Sequence, residues 1–181
     1  YLEINASQRP ALALFEALGY TYISPADCDK QRGSRYHVLL RDILRGQLRR
    51  LNRYAYAGAE NEFSAANIEH AMEDLDEPLT DGLVRTSEKI YDALLLGKSY
   101  PETVGDGKML SFNLRYIDWD NPQNNVFHVT EEFAVDSQDR QHNARPDIVL
   151  FINGIPFAVI ECKALHIPVE EAVGQMIQIG R

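Results

Sequence analysis

Residues 145–163 read RPDIVLFINGIPFAVIECK, and the architecture follows from them. Two short apolar runs, Ile148 to Ile152 and Phe157 to Ile160, flank Asn153-Gly154. Continuous apolar runs of this length suit strands covered on both faces. Asn-Gly tolerates positive φ at both positions, which makes it a strong hairpin signal. The runs are therefore predicted to fold back on each other, with Asp147 and Glu161-Cys162-Lys163 at the open end. Glu161 and Lys163 lie two apart on a strand, so they share a face. A strict two-residue loop pairs residue 147 with 160 and puts Asp147 and Glu161 on opposite faces. One bulge, or a three-residue loop, restores a shared face, and such an irregularity is predicted.

Two carboxylates on one face are a poor place for bare charge and a good seat for Mg²⁺. The backbone carbonyl of Cys162 offers a third ligand while its side chain turns the other way. A metal held there lowers the pKa of a bound water and stabilises charge building on a phosphate. Lys163 then orients or deprotonates that water, or supports the transition state. The plainer alternative is an ion pair of Lys163 with Asp147 or Glu161 at a strand end. Glu-x-Lys alone is a weak signal; Pro146-Asp147 at the mouth of an apolar hairpin gives it weight.

Outward from the hairpin, helices and strands alternate. Ser7 as N-cap, Pro10 in the first turn and Gly19 past the end bracket a helix through Leu12, Leu14, Phe15 and Leu18. Gly19 to Ser24 reads as a short strand or extended turn. Leu39, Leu40, Ile43, Leu44, Leu48 and Leu51 recur at helical spacing, predicting a helix over 34–51. Ser64 and Thr80 open two further helices, to Leu75 and Leu96. Strands are expected over 109–117 and 126–135, with Asn121-Pro122 and Asn124-Asn125 turning the chain between them. Val169 to Ile179 reads as a closing helix.

Composition bounds the function. The 181 residues are 45% hydrophobic and 25% charged, enough for one domain with a real core. No run approaches the ~18 apolar residues of a membrane helix, and no secretory leader precedes Tyr1, so a cytoplasmic fragment of a longer chain is expected. Cys28 and Cys162 have no metal-like or disulfide-framework spacing. The net charge of -9 argues against a stand-alone nucleic-acid binder. Charge is nonetheless segregated: 30–53 is strongly basic, and 54–82 is acidic with no Lys or Arg. Arg41, Arg45, Arg49 and Arg53 recur every fourth residue, with Arg50 adjacent. That stripe suits a DNA backbone, a solvated face, or docking to an acidic surface.

The stretch RPDIVLFINGIPFAVIECK resembles the nuclease motif in the R (restriction) subunit of type I restriction-modification enzymes, members of the PD-(D/E)xK nuclease superfamily. VLLRDILRGQLRRLN, IDWDNPQNNVFHV and EEAVGQMI are similar to other parts of these subunits, as is an early Glu before a helix ending in Leu-Gly-Tyr. The resemblance implies a restriction-endonuclease-like α/β core, a central mixed sheet flanked by helices, filling 1–181 as a single N-terminal nuclease domain. It implies Asp147 and Glu161 as metal-binding acids and Lys163 as the catalytic lysine. Glu3 resembles an additional helix-borne metal ligand, its alternative being an exposed terminal carboxylate. Gln175 resembles the Gln of a Gln-x-x-x-Tyr motif, with Ile179 at the Tyr position; contact with DNA backbone or bracing of the site is the alternative.

The implied activity is Mg²⁺-dependent hydrolysis of double-stranded DNA after ATP-driven translocation. ATP would be used by motor domains outside this chain, and partner methylation and specificity subunits would complete the complex. Sequence choice would then come from elsewhere, since a site that engages the backbone has no reason to read bases. Two rivals stand beside this reading: a stand-alone repair or resolvase-type nuclease, and a non-catalytic docking module on the same fold. The five histidines lack zinc-site spacing, Ser7, Ser111 and Cys162 lack a nucleophile elbow, and Asp118 and Asp120 read as a turn rather than a second metal site.

Overall fold

The computed structural model describes residues 7–76, 82–136 and 143–162. The chain divides into two compact units: one formed by the flanking segments 1–40 and 127–181, the other by Arg41–Val126 between them.

The flanking unit is built on a four-stranded mixed sheet. Its strands are β1 (Thr21–Tyr22), β6 (Phe127–Glu131), β7 (Ile148–Ile152) and β8 (Ile155–Ile160), in that spatial order. β1 runs parallel to β6, and the remaining neighbours are antiparallel. All five residues of β7 are buried, as the unbroken apolar run IVLFI requires of a strand covered on both faces. Asn153 and Gly154 turn the chain with φ of 54° and 85°, the left-handed pair that a tight hairpin needs.

Helix α1 (Arg9–Ala17) covers one face, where Leu12 packs with Val129, Ile148, Leu150 and Cys162. The opposite face carries Phe151, packed edge-on against Phe133 with ring centroids 5.4 Å apart. Over Phe133 lies the buried guanidinium of Arg32, at the end of helix α2 (Pro25–Arg32). Periodicity overlooked α2 because PADCDKQR has no apolar stripe. Its punctuation is nevertheless in the sequence. Ser24 caps it by accepting from Asp27 N–H, Pro25 occupies the first turn, and Gly33 ends it in the left-handed region. The expected helix over 34–51 begins only at Arg41. Leu39 and Leu40 are buried outside it, and Leu40 N–H bonds the carbonyl of Gly154 at 2.8 Å.

The intervening unit contains α3 (Arg41–Leu51), α4 (Ala65–Asp74) and α5 (Leu83–Leu96), with two hairpins. The hairpins pair β2 (Tyr54–Tyr56) with β3 (Ala59–Asn61) and β4 (Lys98–Thr103) with β5 (Met109–Leu114). Leu44 and Leu48 of α3 and Ile68, Ala71 and Met72 of α4 are buried. Ser64 caps α4 as expected, its oxygen accepting from Asn67 N–H. Tyr100 and Tyr116 join hydroxyls at 2.8 Å inside this unit, with Asp74 accepting from Tyr100. The strands expected at 109–117 and 126–135 are present in shortened form as β5 and β6, and belong to different sheets. Between them, Asp118 takes hydrogen bonds from Asn121 N–H and Asn124 Nδ2, holding the turn. No described helix is long and apolar enough to cross a membrane.

Candidate functional site

The hairpin register contains the expected irregularity. Ile152 pairs with Ile155 and Phe151 with Pro156, but Leu150 pairs with Ala158, leaving Phe157 as an extra residue. From there the ladder runs Val149 with Val159 and Ile148 with Ile160. Carried one residue further, Asp147 opposes Glu161, and cross-strand partners point to the same side of a sheet. The bulge thus gives the two carboxylates a shared face, the one opposite α1. Cys162 follows the alternation: its side chain is buried with Leu12, Val129 and Ile148 on the α1 side.

Hydrogen bonds fix the open end of the hairpin. Asp147 Oδ2 accepts from Cys162 N–H at 2.7 Å. The carbonyl of Asp147 accepts from Glu132 N–H at 3.0 Å and from the side-chain amide of Gln8 at 3.3 Å. Glu161 is half-buried, and its Oε1 is shielded from solvent. Among the described residues no three His, Cys, Asp or Glu side chains converge as a metal centre. Asp147, Glu161 and the Cys162 carbonyl offer oxygens of the hard kind that Mg²⁺ accepts, and waters or a further acid would have to complete a ligand set. Glu3, Lys163 and Gln175, together with the closing helix, lie outside the described residues.

Sequence reasoning passed over the polar contacts behind this site. Gln8 also donates to Glu131 Oε2 at 3.2 Å, and Tyr22 hydroxyl donates to Glu131 Oε1 at 2.9 Å. Beside the site, Glu132 adopts φ of 51° and its carboxylate meets Arg145 Nε at 2.5 Å. The β6–β7 register places Glu132 opposite Asp147, and the ladder resumes beyond them as Val135 with Ala144. Arg145 therefore lies two residues from Asp147 along the same edge of the chain. No sequence periodicity signals a single buried Gln, which is why only the contacts reveal it.

The whole chain, residues 1–180, matches the family model described as the type I restriction enzyme R protein N terminus. It belongs to that family. Two proteins of Methanocaldococcus jannaschii, named as putative type I restriction enzyme endonuclease subunits MjaVIIIP and MjaIXP, are similar to it. The first is 30% identical over 80% of this chain, the second 34% identical over 42%. These matches span only 13% and 7% of the relatives' own lengths.

In this R-protein N terminus Arg41, Arg45 and Arg49 lie on α3, within the intervening unit, Arg53 follows its end, and three of the four are engaged. Arg45 makes an ion pair with Glu69 of α4 at 2.5 Å and another with Asp42 at 2.7 Å. Arg41 reaches Glu69 at 3.5 Å and Asp76 at 4.0 Å. Arg53 meets Glu62 at 2.9 Å. Arg49 is exposed and makes no ion pair among the described residues. The basic and acidic segments of the sequence thus meet each other inside one unit. His128 is half-buried in β6, where desolvation holds its imidazole below the usual value and favours the neutral ring.

Proposed function

We propose that this R-protein N terminus is the DNA-cleaving part of a type I restriction enzyme, using Mg²⁺ held by Asp147 and Glu161. The observation that supports the reading is the bulge at Phe157, whose register favours a shared face for the two carboxylates. Bound there, the metal would supply a more acidic water and stabilise charge on the attacked phosphate. The chain's own residues do the rest. Asp147, tethered by Cys162 N–H, and Glu161 bind and orient the ion; Lys163, the next residue but one after Glu161, orients the attacking water or neutralises the phosphate. Glu3 is proposed as an additional metal ligand and Gln175 as a brace for the site. A PD-(D/E)xK core is proposed on the same basis.

The proposed substrate is double-stranded DNA, delivered by ATP-driven motor domains and by specificity and methylation subunits. Arg49 is the most available member of the DNA-facing stripe; Arg41, Arg45 and Arg53 would have to exchange carboxylate partners for phosphates. A net charge of -9 fits delivery by partners, because weak intrinsic DNA affinity suits an enzyme that must not cut unassisted.

The test is a Mg²⁺ titration of plasmid cleavage by the full-length subunit assembled with its partners, after stripping with EDTA. Wild type is compared with Glu161→Gln and Lys163→Ala, with ATP hydrolysis followed in parallel. Support is cleavage that returns with Mg²⁺ in wild type, demands more Mg²⁺ in Glu161→Gln, and is lost in Lys163→Ala while ATP hydrolysis persists. Unchanged cleavage in both variants would sink the proposal.

A further inference from the structure

Gln8 stands at the entry to α1 with helical backbone angles, φ -64° and ψ -52°, and is only 3% exposed. Its amide makes no capping bond to the helix it opens. Instead Nε2 donates to Glu131 Oε2 and to the carbonyl of Asp147, partners 123 and 139 residues away in sequence. A primary amide nitrogen has two hydrogens, so these acceptors use its donor capacity completely. Glu131 is held in turn by Tyr22, whose hydroxyl is pushed up to about 12 by burial first and by Glu131 second, keeping it a donor.

The geometry points to Gln8 as a positioning residue for the carboxylate pair, an inference that rests on reading Asp147 and Glu161 as the cleavage site. Asp147 is held toward both neighbouring strands. On the β8 side its carboxylate takes Cys162 N–H; on the β6 side its carbonyl takes Glu132 N–H, and the Gln8 amide as well. Glu131 is the register partner of Ile148, whose side chain packs under α1, so the Gln8–Glu131 bond lies on the α1 side of the sheet. Gln8 touches the peptide of Asp147 and leaves its carboxylate to the other face. Its work is to fix where the Asp147 backbone sits, and through it where the carboxylate points. A chain lacking that donor keeps every ionisable group and the Glu132 bond, and loses the hold on the Asp147 peptide from the α1 side.

The experiment uses the full-length subunit assembled with its partner subunits and compares wild type, Gln8→Met, Gln8→Lys and Asp147→Ala. Plasmid cleavage, its Mg²⁺ requirement and ATP hydrolysis are measured on each. Gln8→Met keeps the shape and removes both donors. Small misplacement of a reacting group is costly, so kcat for cleavage is expected to fall roughly ten- to a hundredfold with ATP hydrolysis unchanged. Gln8→Lys supplies an ammonium with three hydrogens and no acceptor, so both the Glu131 carboxylate and the Asp147 carbonyl can still be served. Its cleavage is expected to stay near the wild-type rate while that of Gln8→Met falls. A role that depends only on the shape of residue 8 would not separate the two variants in that order.

Wild-type cleavage by Gln8→Met, with Asp147→Ala inactive, overturns the positioning role and leaves the cleavage site standing. Full cleavage by Asp147→Ala removes the site itself and the inference with it. Should Gln8→Met lose ATP hydrolysis through misfolding, Gln8→Lys decides alone: loss of cleavage with ATP hydrolysis intact overturns the proposal.

Discussion

The carboxylate of Asp147 bonds the backbone N–H of Cys162 at 2.7 Å, joining the entry of one strand to the exit of its neighbour. The contact lies at the open end of a hairpin whose other end is closed by Asn153-Gly154. Regular β7–β8 pairing ends at Ile148 and Ile160, and this bond carries the contact past that end. The same bond brings the side chain of Asp147 alongside the chain that carries Glu161.

The extra residue at Phe157 should be replaceable but not removable. Its side chain is 53% exposed, so Phe157→Ser is expected to change stability by less than about 1 kcal/mol. Deleting the residue removes the bulge and turns Ala158, Ile160 and Cys162 away from the α1 side. Urea denaturation of the two variants checks this: the deletion is expected to cost several-fold more than the substitution. A deletion as stable as wild type would show that the bulge does not set the register.

Two arginines of the flanking unit should behave oppositely. Arg32 is buried, bonded to Asp29 and to the carbonyls of His37 and Ala134, with Phe133 beneath it. Arg32→Met strands those acceptors, and a loss of about 3 kcal/mol is expected. Arg145, 67% exposed in its pair with Glu132, should cost less than about 1 kcal/mol as Arg145→Ala. Chemical denaturation of both variants gives the comparison directly.

The Arg45–Glu69 contact predicts a pH signature in the intervening unit. The Arg45 hydrogen bond, the largest cause, holds the Glu69 carboxyl below its usual 4.5, against burial, which raises it. A depressed carboxylate contributes stability that is complete above its unfolded value and is lost as pH falls through the folded one. The gap in urea midpoint between wild type and Glu69→Gln should therefore be full at neutral pH and narrow only below about 4.5. A gap that widens on acidification would contradict the assignment.

Arg49 tests the proposed DNA-facing use of α3. Arg49→Ala in the assembled enzyme is expected to weaken DNA binding for all sequences alike and to lower the salt slope by about 1. Arg45→Ala, which breaks the pairs with Glu69 and Asp42, should instead act mainly on stability. Binding curves at several salt concentrations separate the two effects.

What the sequence made legible follows physical locality. The Asn153-Gly154 hairpin and the Ser64 cap are short-range signals, and both are present. The bulge was inferred because two carboxylates needed a shared face, an argument from pairing parity. Helix α2 escaped because its polar residues have no stripe, and its stability comes from caps and from Arg32 packed on Phe133. The hairpin of β2 and β3 escaped because YAY and AEN are too short to show alternation. Gln8 and Glu131 were invisible as site residues because their partners lie more than a hundred positions away. The arginine stripe was correctly seen as periodic, while the acids that face it sit on α4, a relation that only tertiary packing supplies.

The most direct test of the central claim is Asp147→Asn in the full-length subunit assembled with its partners. The amide keeps an oxygen that can accept from Cys162 N–H while removing the charge a metal requires, so the fold should persist. Plasmid cleavage and ATP hydrolysis are measured together in Mg²⁺. The account predicts that cleavage is lost while ATP hydrolysis continues at the wild-type rate. Cleavage at the wild-type rate would contradict it, and would leave Asp147 as a structural tether of the hairpin.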